Sequence, residues 1–380
     1  MAGYITNEHQ MFREALRKFL EKEAVPHYDQ WEKDGLIPRS FWTKMGENGF
    51  LCAWLDEKYG GLGVDFGYSV VLNEELERVG SGTIGIGLHT DIVVPYLDSY
   101  GSEAQKQRWL PKCITGELMT AIAMTEPGAG SDLAGIKTTA IRDGDYYIVN
   151  GQKTFITNGI QSDLIVVVCK TDPQAKPAHK GISLLVIEKD TPGFSRGRKL
   201  EKIGLHSQDT AELIFEDARV PVENLLGEEG KGFYYLMEKL QQERLIVGLQ
   251  AQVAAEEMLK MTLQYIKERE AFGRPIHQFQ YIQFTMAEMA TEIELGRTFI
   301  NDLISRHMAG EQVVTQVSMA KWWHTDMANR VASKCLQLHG GYGYMEEYPI
   351  ARRYRDITVL PIYAGTNEIM KAIIAKNMGI

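Results

Sequence analysis

The hydrophobic period of this chain changes twice, and that excludes any fold built on one repeated motif. Up to about residue 120, apolar side chains recur at helical spacing, as in Phe12, Leu16, Phe19 and Leu20. Leu72, Leu76 and Val79 likewise share one face of the segment from Tyr68 to Val79, and the glycine-rich stretch Tyr59 to Gly63 before it reads as a loop. From about 121 to 225 the pattern becomes short apolar runs rich in β-branched residues, such as Leu164 to Val168 and Ile182 to Ile187. The dipeptides Asp143-Gly144 and Asn150-Gly151 predict hairpin turns, because type I′ turns need positive φ at both central positions. Pro173, Pro177, Pro192 and Pro221 punctuate loops, and no βαβ alternation occurs, so an antiparallel sheet is expected. From Gly232 helical spacing returns in the long segments 242–267, 280–308 and 316–339, broken by Gly340, Gly341 and Gly343. The plan is α+β: helices, then a sheet, then a helical bundle.

At 380 residues the chain has room for two to three structural units. Its net charge of −9 offers no basic face to a phosphate backbone, which excludes nucleic acid as a partner. No apolar run reaches the length of a membrane span. The first residues carry neither an apolar signal core nor an Arg-rich transit pattern. A bacterial cytoplasm is the expected compartment, or a mitochondrial matrix for a chain whose leader has been removed. Cys52, Cys113, Cys169 and Cys335 lie far apart and read as buried, reduced thiols. Cys335 and His339 are four apart, but two ligands make no zinc site, and no metal is expected.

Five local patterns carry chemistry. Thr125 to Asp132 is a tight loop of glycine, proline and small polar residues: a plain turn, or a loop whose amides bind a phosphate or a ring edge. Leu133 stands where a dinucleotide fingerprint would have its third glycine. Leu236, Leu240, Glu243 and Val247 follow i, i+4, i+7, i+11, which puts a carboxylate on an apolar helix stripe. Burial there would raise its pKa toward the range a proton-abstracting base needs; the alternative is an i,i+4 ion pair with Lys239. Arg269, followed by Gly273 and Pro275, is a helix stop or a pyrophosphate clamp. Gln337 to Gly341 is a helix C-cap or a close approach of backbone to a ligand. Tyr363 to Glu368 reads as a loop with Thr366 as N-cap. Phe233, Tyr234 and Tyr235 form core, or one of them lines a channel.

In this order, Thr125 to Asp132, Gly151 to Gly159, Ile214 to Asp217, Arg269 with Phe272-Gly273, Gln337 with Gly340-Gly341, Arg355-Asp356 and Tyr363 with Gly365-Thr366 resemble the acyl-CoA dehydrogenase flavoproteins. The resemblance spans nearly the whole chain. It implies an N-terminal helical domain (1–120), a middle antiparallel β domain (121–230) and a C-terminal four-helix bundle (231–380). It further implies non-covalent FAD between the β domain and the C-terminal helices, a homotetramer in which a neighbour completes the FAD site, and electron transfer flavoprotein as acceptor.

By the same resemblance, Ile122, Ala123, Met124, Thr125, Gly130 and Ser131 contact the flavin and its ribityl chain, together with Phe155, Ile156 and Thr157. Thr125 and Thr157 hydrogen-bond the ring. Arg269, Phe272, Phe279 and Gln280 hold the pyrophosphate and adenine end, which Gln337, Leu338, His339, Gly340 and Gly341 complete across an interface. Thr366, Asn367 and Glu368 lie beside FAD, while Ser131, Tyr234, Gln241, Arg244, Ala364 and Gly365 meet the acyl-CoA. A backbone N–H of the Tyr363–Thr366 segment and a ribityl hydroxyl would hold the thioester oxygen. Many members carry a glutamate base where this chain has Ala364, which accepts no proton. In the isovaleryl-CoA and long-chain branches the base lies in a Glu-Arg-Leu-like segment, here Glu243-Arg244-Leu245, so Glu243 is the expected general base. Gln208 to Leu213, Gly232 to Tyr235 and Pro361 to Lys371 resemble the long-chain branch. The implied reaction is α,β-dehydrogenation of a long-chain or branched acyl-CoA to the trans-2-enoyl-CoA. The alternatives are an acyl-CoA oxidase, which usually carries a further C-terminal domain, and, because of Ala364, a flavin-bound scaffold with little turnover.

Overall fold

A computed structural model describes residues 3–380. The N-terminal part is helical: α1 (Asn7–Glu23), α2 (Tyr28–Asp34), α3 (Arg39–Glu47), α4 (Phe66–Val79), α5 (Ile84–Gly87), α6 (Val94–Tyr100) and α7 (Glu103–Ile114). Local chemistry sets the helix ends. Thr6 with His9 and Ser102 with Gln105 close capping boxes on α1 and α7, and Asp65 accepts from Gly67 N at the start of α4. Between α5 and α6, Leu88–Val93 forms a π-helical turn, a wider coil than the α-helix. Side chains from elsewhere take two of its carbonyls: Thr90 O accepts from Trp54 Nε1 at 3.1 Å, and Asp91 O from Gln242 Nε2 at 2.7 Å.

The middle part is a sheet of β1 (Thr120–Ala123), β2 (Thr139–Asp143), β3 (Tyr146–Thr157), β4 (Leu164–Lys170), β5 (Ile182–Glu188), β6 (Phe194–Lys199), β7 (Thr210–Pro221) and β8 (Leu225–Leu226). Its order is β6-β7-β3-β2-β4-β5-β8, with β1 beside β4. Pairing is antiparallel except at one place. There β1 runs parallel to β4, with Thr120 opposite Leu164, and β2 meets β4 in parallel at Thr139 and Lys170. The β2–β3 hairpin lies between β1 and β4 in sequence, so β4 returns in the direction of β1. In β4 and β5 successive side chains serve different cores: Val166, Val168, Leu184 and Val186 pack under the N-terminal helices, whereas Ile165, Val167, Leu185 and Ile187 fill the core on the other face. Two-sided burial explains why these runs are continuously apolar.

A tight turn does join β2 and β3, but with Asp143 opposite Tyr146 its two-residue loop is Gly144-Asp145 and only Gly144 has positive φ, so it is not the expected type I′ turn centred on Asp143-Gly144. Asn150-Gly151 makes no turn. It lies inside β3, where the register against β7 shifts between Val149 and Gly151. The Asn150 side chain is spent on Asp217, accepting from its backbone N–H at 2.8 Å and donating to its carboxylate at 3.0 Å. The dipeptide supplies a bulge instead of a turn.

The C-terminal part comprises α8 (Gly232–Glu268), the short hairpin β9 (Glu270–Ala271) and β10 (Arg274–Pro275), α9 (Gln280–Met308), α10 (Val314–Leu338), α11 (Pro349–Asp356) and α12 (Asn367–Met378). α8 begins ten residues before the expected 242, so Phe233, Tyr234 and Tyr235 belong to its first turn. α10 packs against α8, α9 and α12, and α4 packs on α8, which ties the two helical parts together. All four cysteines are buried free thiols. Among the described residues no group of three or more His, Cys, Asp and Glu gathers for a metal, and no helix is long and apolar enough to cross a membrane.

Gly151 has φ 150°, and a Cβ there would lie 2.7 Å from the Cα of Thr138. Gly151→Ala should therefore destabilise the fold by roughly 2 kcal/mol, through strain and overlap, read as a lower thermal midpoint. An unchanged midpoint would mean that the bulge does not need glycine.

Candidate active site

Glu243 sits on α8 with only 5% of its surface exposed, on the stripe that also buries Leu236 and Val247. Its Oε1 accepts from the Tyr96 hydroxyl of α6 at 2.7 Å. Lys239, the i−4 residue, does not pair with it and donates instead to Ser99 Oγ at 2.6 Å. Burial pushes the Glu243 carboxyl up to about 7, against the opposing pull of the Tyr96 hydrogen bond and of the Arg244 and Lys239 charges. A carboxyl in that range exchanges protons at neutral pH. Next to it Arg244 is buried at 6% exposure, and its Nε has no hydrogen-bond partner. An unsatisfied buried guanidinium is costly unless something else occupies the space in front of it.

That space borders the Tyr363–Thr366 loop: a Cβ on Gly365 would lie 3.7 Å from Arg244 Nη2. Ala364 and Gly365 have φ 52° and 89°, two consecutive left-handed residues. Thr366 caps α12 as expected, accepting from Ile369 N. Among the described residues, the backbone N–H groups of Ala364, Gly365 and Thr366 donate to no other group. Successive free amides on left-handed backbone form a concave anion-binding surface. A buried cation and free amides thus border one space, and the Glu243 carboxyl stands on the adjacent residue of α8; such groups suit removal of a proton beside a carbonyl whose oxygen gains negative charge.

The Thr125–Asp132 loop is pinned by chemistry that sequence inspection missed. The Glu126 carboxylate, 6% exposed, accepts from Lys137 N, Thr138 N and Lys153 Nζ at 2.6, 2.9 and 2.9 Å. Lys153 is fully buried and also donates to Met124 O at 2.9 Å. Beyond this anchor Gly128 and Gly130 have open space where a side chain would be, and Ser131 is exposed. Thr125 O accepts from Thr154 N at 2.9 Å, which brings Phe155 to Thr157 alongside. Phe155 is 68% exposed at φ 60°, an aromatic ring held in solvent by a disfavoured backbone. Ile122, Met124 and Thr157 are half-buried beside it. The side chains of Ala123 and Ile156 point the other way, into the core of the sheet, so neither offers a side chain to a ligand.

Arg269 follows the end of α8 and faces a cavity of about 540 Å³, together with Tyr265, Gln337, Leu338, Gly340 and Gly341. His339 lines it too, but is committed: its ring stacks on Tyr265 at 4.2 Å and its carbonyl accepts from the Tyr265 hydroxyl. Phe272, at φ 54° and 96% exposed, meets Phe279 edge-on, and Gln280 is exposed at the start of α9. No hydrogen bond links this cluster to the Thr125–Ser131 loop.

Some expected residues are occupied elsewhere. Gln241 accepts from Val313 N at 2.8 Å and donates to Glu311 O at 3.0 Å, so it fastens the α9–α10 connection and not a substrate. Asn367 is 4% exposed, with its amide spent on Thr325, Asp326 and Lys321. Glu368 is exposed. Tyr234 is half exposed and near His179, and nine residues place it about half a turn around α8 from Glu243. Its neighbour Tyr235 stacks on Tyr100 at 3.9 Å, next to the Tyr96–Glu243 pair.

Sequence profiles described as the N-terminal, middle and C-terminal domains of acyl-CoA dehydrogenase match residues 6–117, 121–218 and 230–379. The mitochondrial long-chain specific acyl-CoA dehydrogenase of Sus scrofa is 48% identical over 374 residues, 98% of this chain and 87% of that one. The crystal structure of an acyl-CoA dehydrogenase from Geobacillus kaustophilus is similar at TM-score 0.99 and 73% identity, covering both chains completely. A structure described as the electron transferring flavoprotein of Acidaminococcus fermentans is similar at TM-score 0.94 and 39% identity, over 100% of this chain and 99% of that one.

Tyr96→Phe removes a hydrogen bond to the ionised form of Glu243, so the carboxyl should titrate roughly one unit higher than in the parent protein. Infrared difference titration against Glu243→Gln reads this directly. An unmoved titration would show that the hydroxyl does not tune the carboxyl.

Proposed function

The chain belongs to the acyl-CoA dehydrogenase family and is an oxidoreductase of that kind, and from this premise we propose that it desaturates a long-chain or branched acyl-CoA at its α and β carbons, with Glu243 as general base. The observation that carries the reading is the buried Glu243 carboxyl held by Tyr96, next in sequence to the Arg244 that meets the Gly365 turn. We assign residues 1–120, 121–230 and 231–380 as the N-terminal helical, middle β and C-terminal four-helix domains. The long-chain preference rests on the 48% identical relative. Electron transfer flavoprotein as acceptor rests on the family resemblance and on the similar structure of that description.

The residues present fit FAD. Open glycines at 128, 130, 340 and 341, two exposed phenylalanines on left-handed backbone, and an arginine beside a glycine-rich turn are the donor set a flavin dinucleotide needs. When bound, the flavin accepts the β-hydrogen as hydride. Thr125, Ser131, Phe155 and Thr157 would hold the ring and ribityl end. Arg269, Phe272, Phe279, Gln280 and the Gln337–Gly341 turn would hold the pyrophosphate and adenine end of a neighbouring copy. The homotetramer rests on the family resemblance.

The protein's own part is proton transfer and charge stabilisation. Tyr96 holds Oε1 of Glu243, and Oε2 is left to take the α-proton. The thioester oxygen gains charge as that proton leaves, and the free amides of the Tyr363–Thr366 loop are placed to receive it. Arg244 supplies a buried positive charge on the same side. Ser131 and Tyr234 lie toward the outside, where a long CoA tail would run.

Anaerobic flavin absorbance on addition of saturated acyl-CoAs, from short to long and branched, tests the reading. Bleaching should be strongest with long or branched chains, and a flavin that stays oxidised with all of them would favour the scaffold alternative. Glu243→Gln should keep FAD and acyl-CoA binding while losing reduction by about a hundredfold or more. Because Glu243 acts as carboxylate, the reduction rate should climb with pH and level off above about 7. Arg269→Ala should lower FAD retention through the lost phosphate pair. A fully loaded holoprotein would refute that role.

A further inference from the structure

Lys321 lies in the middle of α10 and is completely buried. It shares an apolar stripe with Val317, His324 and Ala328, all buried. Among the described residues no carboxylate pairs with its ammonium. Instead Nζ donates to Gly365 O at 2.8 Å and to Asn367 Oδ1 at 3.1 Å. Burial and the nearby Arg244 charge pull the Lys321 pKa down to about 7, against the weaker influence of Asp326 and Glu368. A buried ammonium without a counter-ion is expensive, and structural needs alone are met more cheaply by a neutral donor.

The geometry gives the cation a use. A trans peptide is planar, so the Gly365 carbonyl and the Thr366 N–H point in opposite directions. Holding the carbonyl from the α10 side turns the Thr366 N–H away from α10. A positive charge on the carbonyl oxygen also polarises the peptide and strengthens that N–H as a donor. The loop is fixed on either side by Tyr363 N to Val359 O at 3.2 Å and Asn367 N to Pro361 O at 3.0 Å. Between those points, two left-handed residues have no other tether.

We propose that Lys321 is a positioning residue for the thioester-oxygen site: through the Gly365 carbonyl and Asn367 it fixes the aim of the free amides of Ala364, Gly365 and Thr366, and its charge helps stabilise the negative oxygen they receive. The proposal rests on the reading of that loop given above. Asn367, expected from resemblance to lie beside the cofactor, is on this account part of the clamp.

The test uses Lys321→Met holoenzyme, which keeps the side-chain volume and loses both donated hydrogen bonds. Two measurements are made: flavin reduction by the best saturated acyl-CoA, and titration of the corresponding 3-thiaacyl-CoA. In that analogue sulfur replaces the β-carbon, so it can lose its α-proton but no hydride, and its anion absorbs at long wavelength over oxidised flavin. The expected result is unchanged FAD content and analogue affinity, an analogue pKa higher by about one unit or more, and reduction slowed at least about thirtyfold. Pure loss of packing would not move the analogue's pKa. Equal pKa and equal reduction in variant and parent would overturn the proposal alone. If Lys321→Met does not hold FAD, Lys321→Gln is measured by the same criteria, and loss of the flavin in both variants would leave Lys321 a structural role only and overturn the proposal. A parent enzyme bleached by no saturated acyl-CoA, or a Glu243→Gln variant that ionises the analogue as well as the parent does, would remove the underlying reading and the proposal with it.

Discussion

A carboxylate buried without a salt bridge is the constraint around which this molecule is arranged. Among the described residues Glu243 has no ion pair within contact distance, and its hydrogen bond comes from the hydroxyl of Tyr96. That hydroxyl comes from the N-terminal helices and the carboxylate from the C-terminal bundle, so the pair exists only when the two helical parts are docked. The docking is correspondingly heavy. Arg297 of α9 grips Glu74 of α4 and Glu256 of α8, and Arg353 of α11 reaches Glu77 of α4, all at 2.7 Å. Asn73 of α4 bridges Asp91 and Gln250 of α8. Such partly and fully buried pairs contribute little net stability but penalise misalignment strongly, which is what a hydrogen bond between distant segments needs.

The three-part architecture was legible because hydrophobic period is a local property: β4, β5 and the long helices each declare themselves within one window. Glu243 was legible for the same reason, as a charge on an apolar stripe, and the resemblance agreed because Ala364 leaves no base in its loop. Lys321 carries the same signature, with Val317, Lys321, His324 and Ala328 spaced like Leu236, Leu240, Glu243 and Val247. The rule that found one would have found the other. Tyr96 was out of reach of any such rule, since its partner is 147 residues away. Asn150-Gly151 misled because its turn propensity is outweighed by the Asp217 pairing of an adjacent strand. Gln241, carried over from the resemblance, is committed instead to Val313 and Glu311, partners about 70 residues away that no local pattern reveals. Ala123 and Ile156, expected from the resemblance to contact the flavin, turn into the core instead, because strand alternation sends every second side chain there.

Acid and cation are also placed asymmetrically about the reacting space. Arg244 and Lys321 are both buried and both lack a carboxylate partner, and both border the Ala364–Gly365 turn. Their mutual repulsion is one reason the Lys321 pKa is low. Two such cations side by side repel each other, offset in part by the Glu243 carboxyl next to Arg244, and on the proposed reaction the anion at the thioester oxygen would offset them further. This is preorganisation in the strict sense: the cost is met during folding, before any substrate arrives.

The π-helical turn at Leu88–Val93 gives this arrangement an unusual evolutionary handle. Each residue in a helix advances the phase by about a quarter turn, and Tyr96 lies just beyond the turn whose Thr90 and Asp91 carbonyls are held by Trp54 and Gln242. A one-residue deletion there would swing the tyrosine off the carboxylate without replacing either of them. Relatives could therefore differ in whether a tyrosine holds this carboxylate by gaining or losing a single codon in that turn.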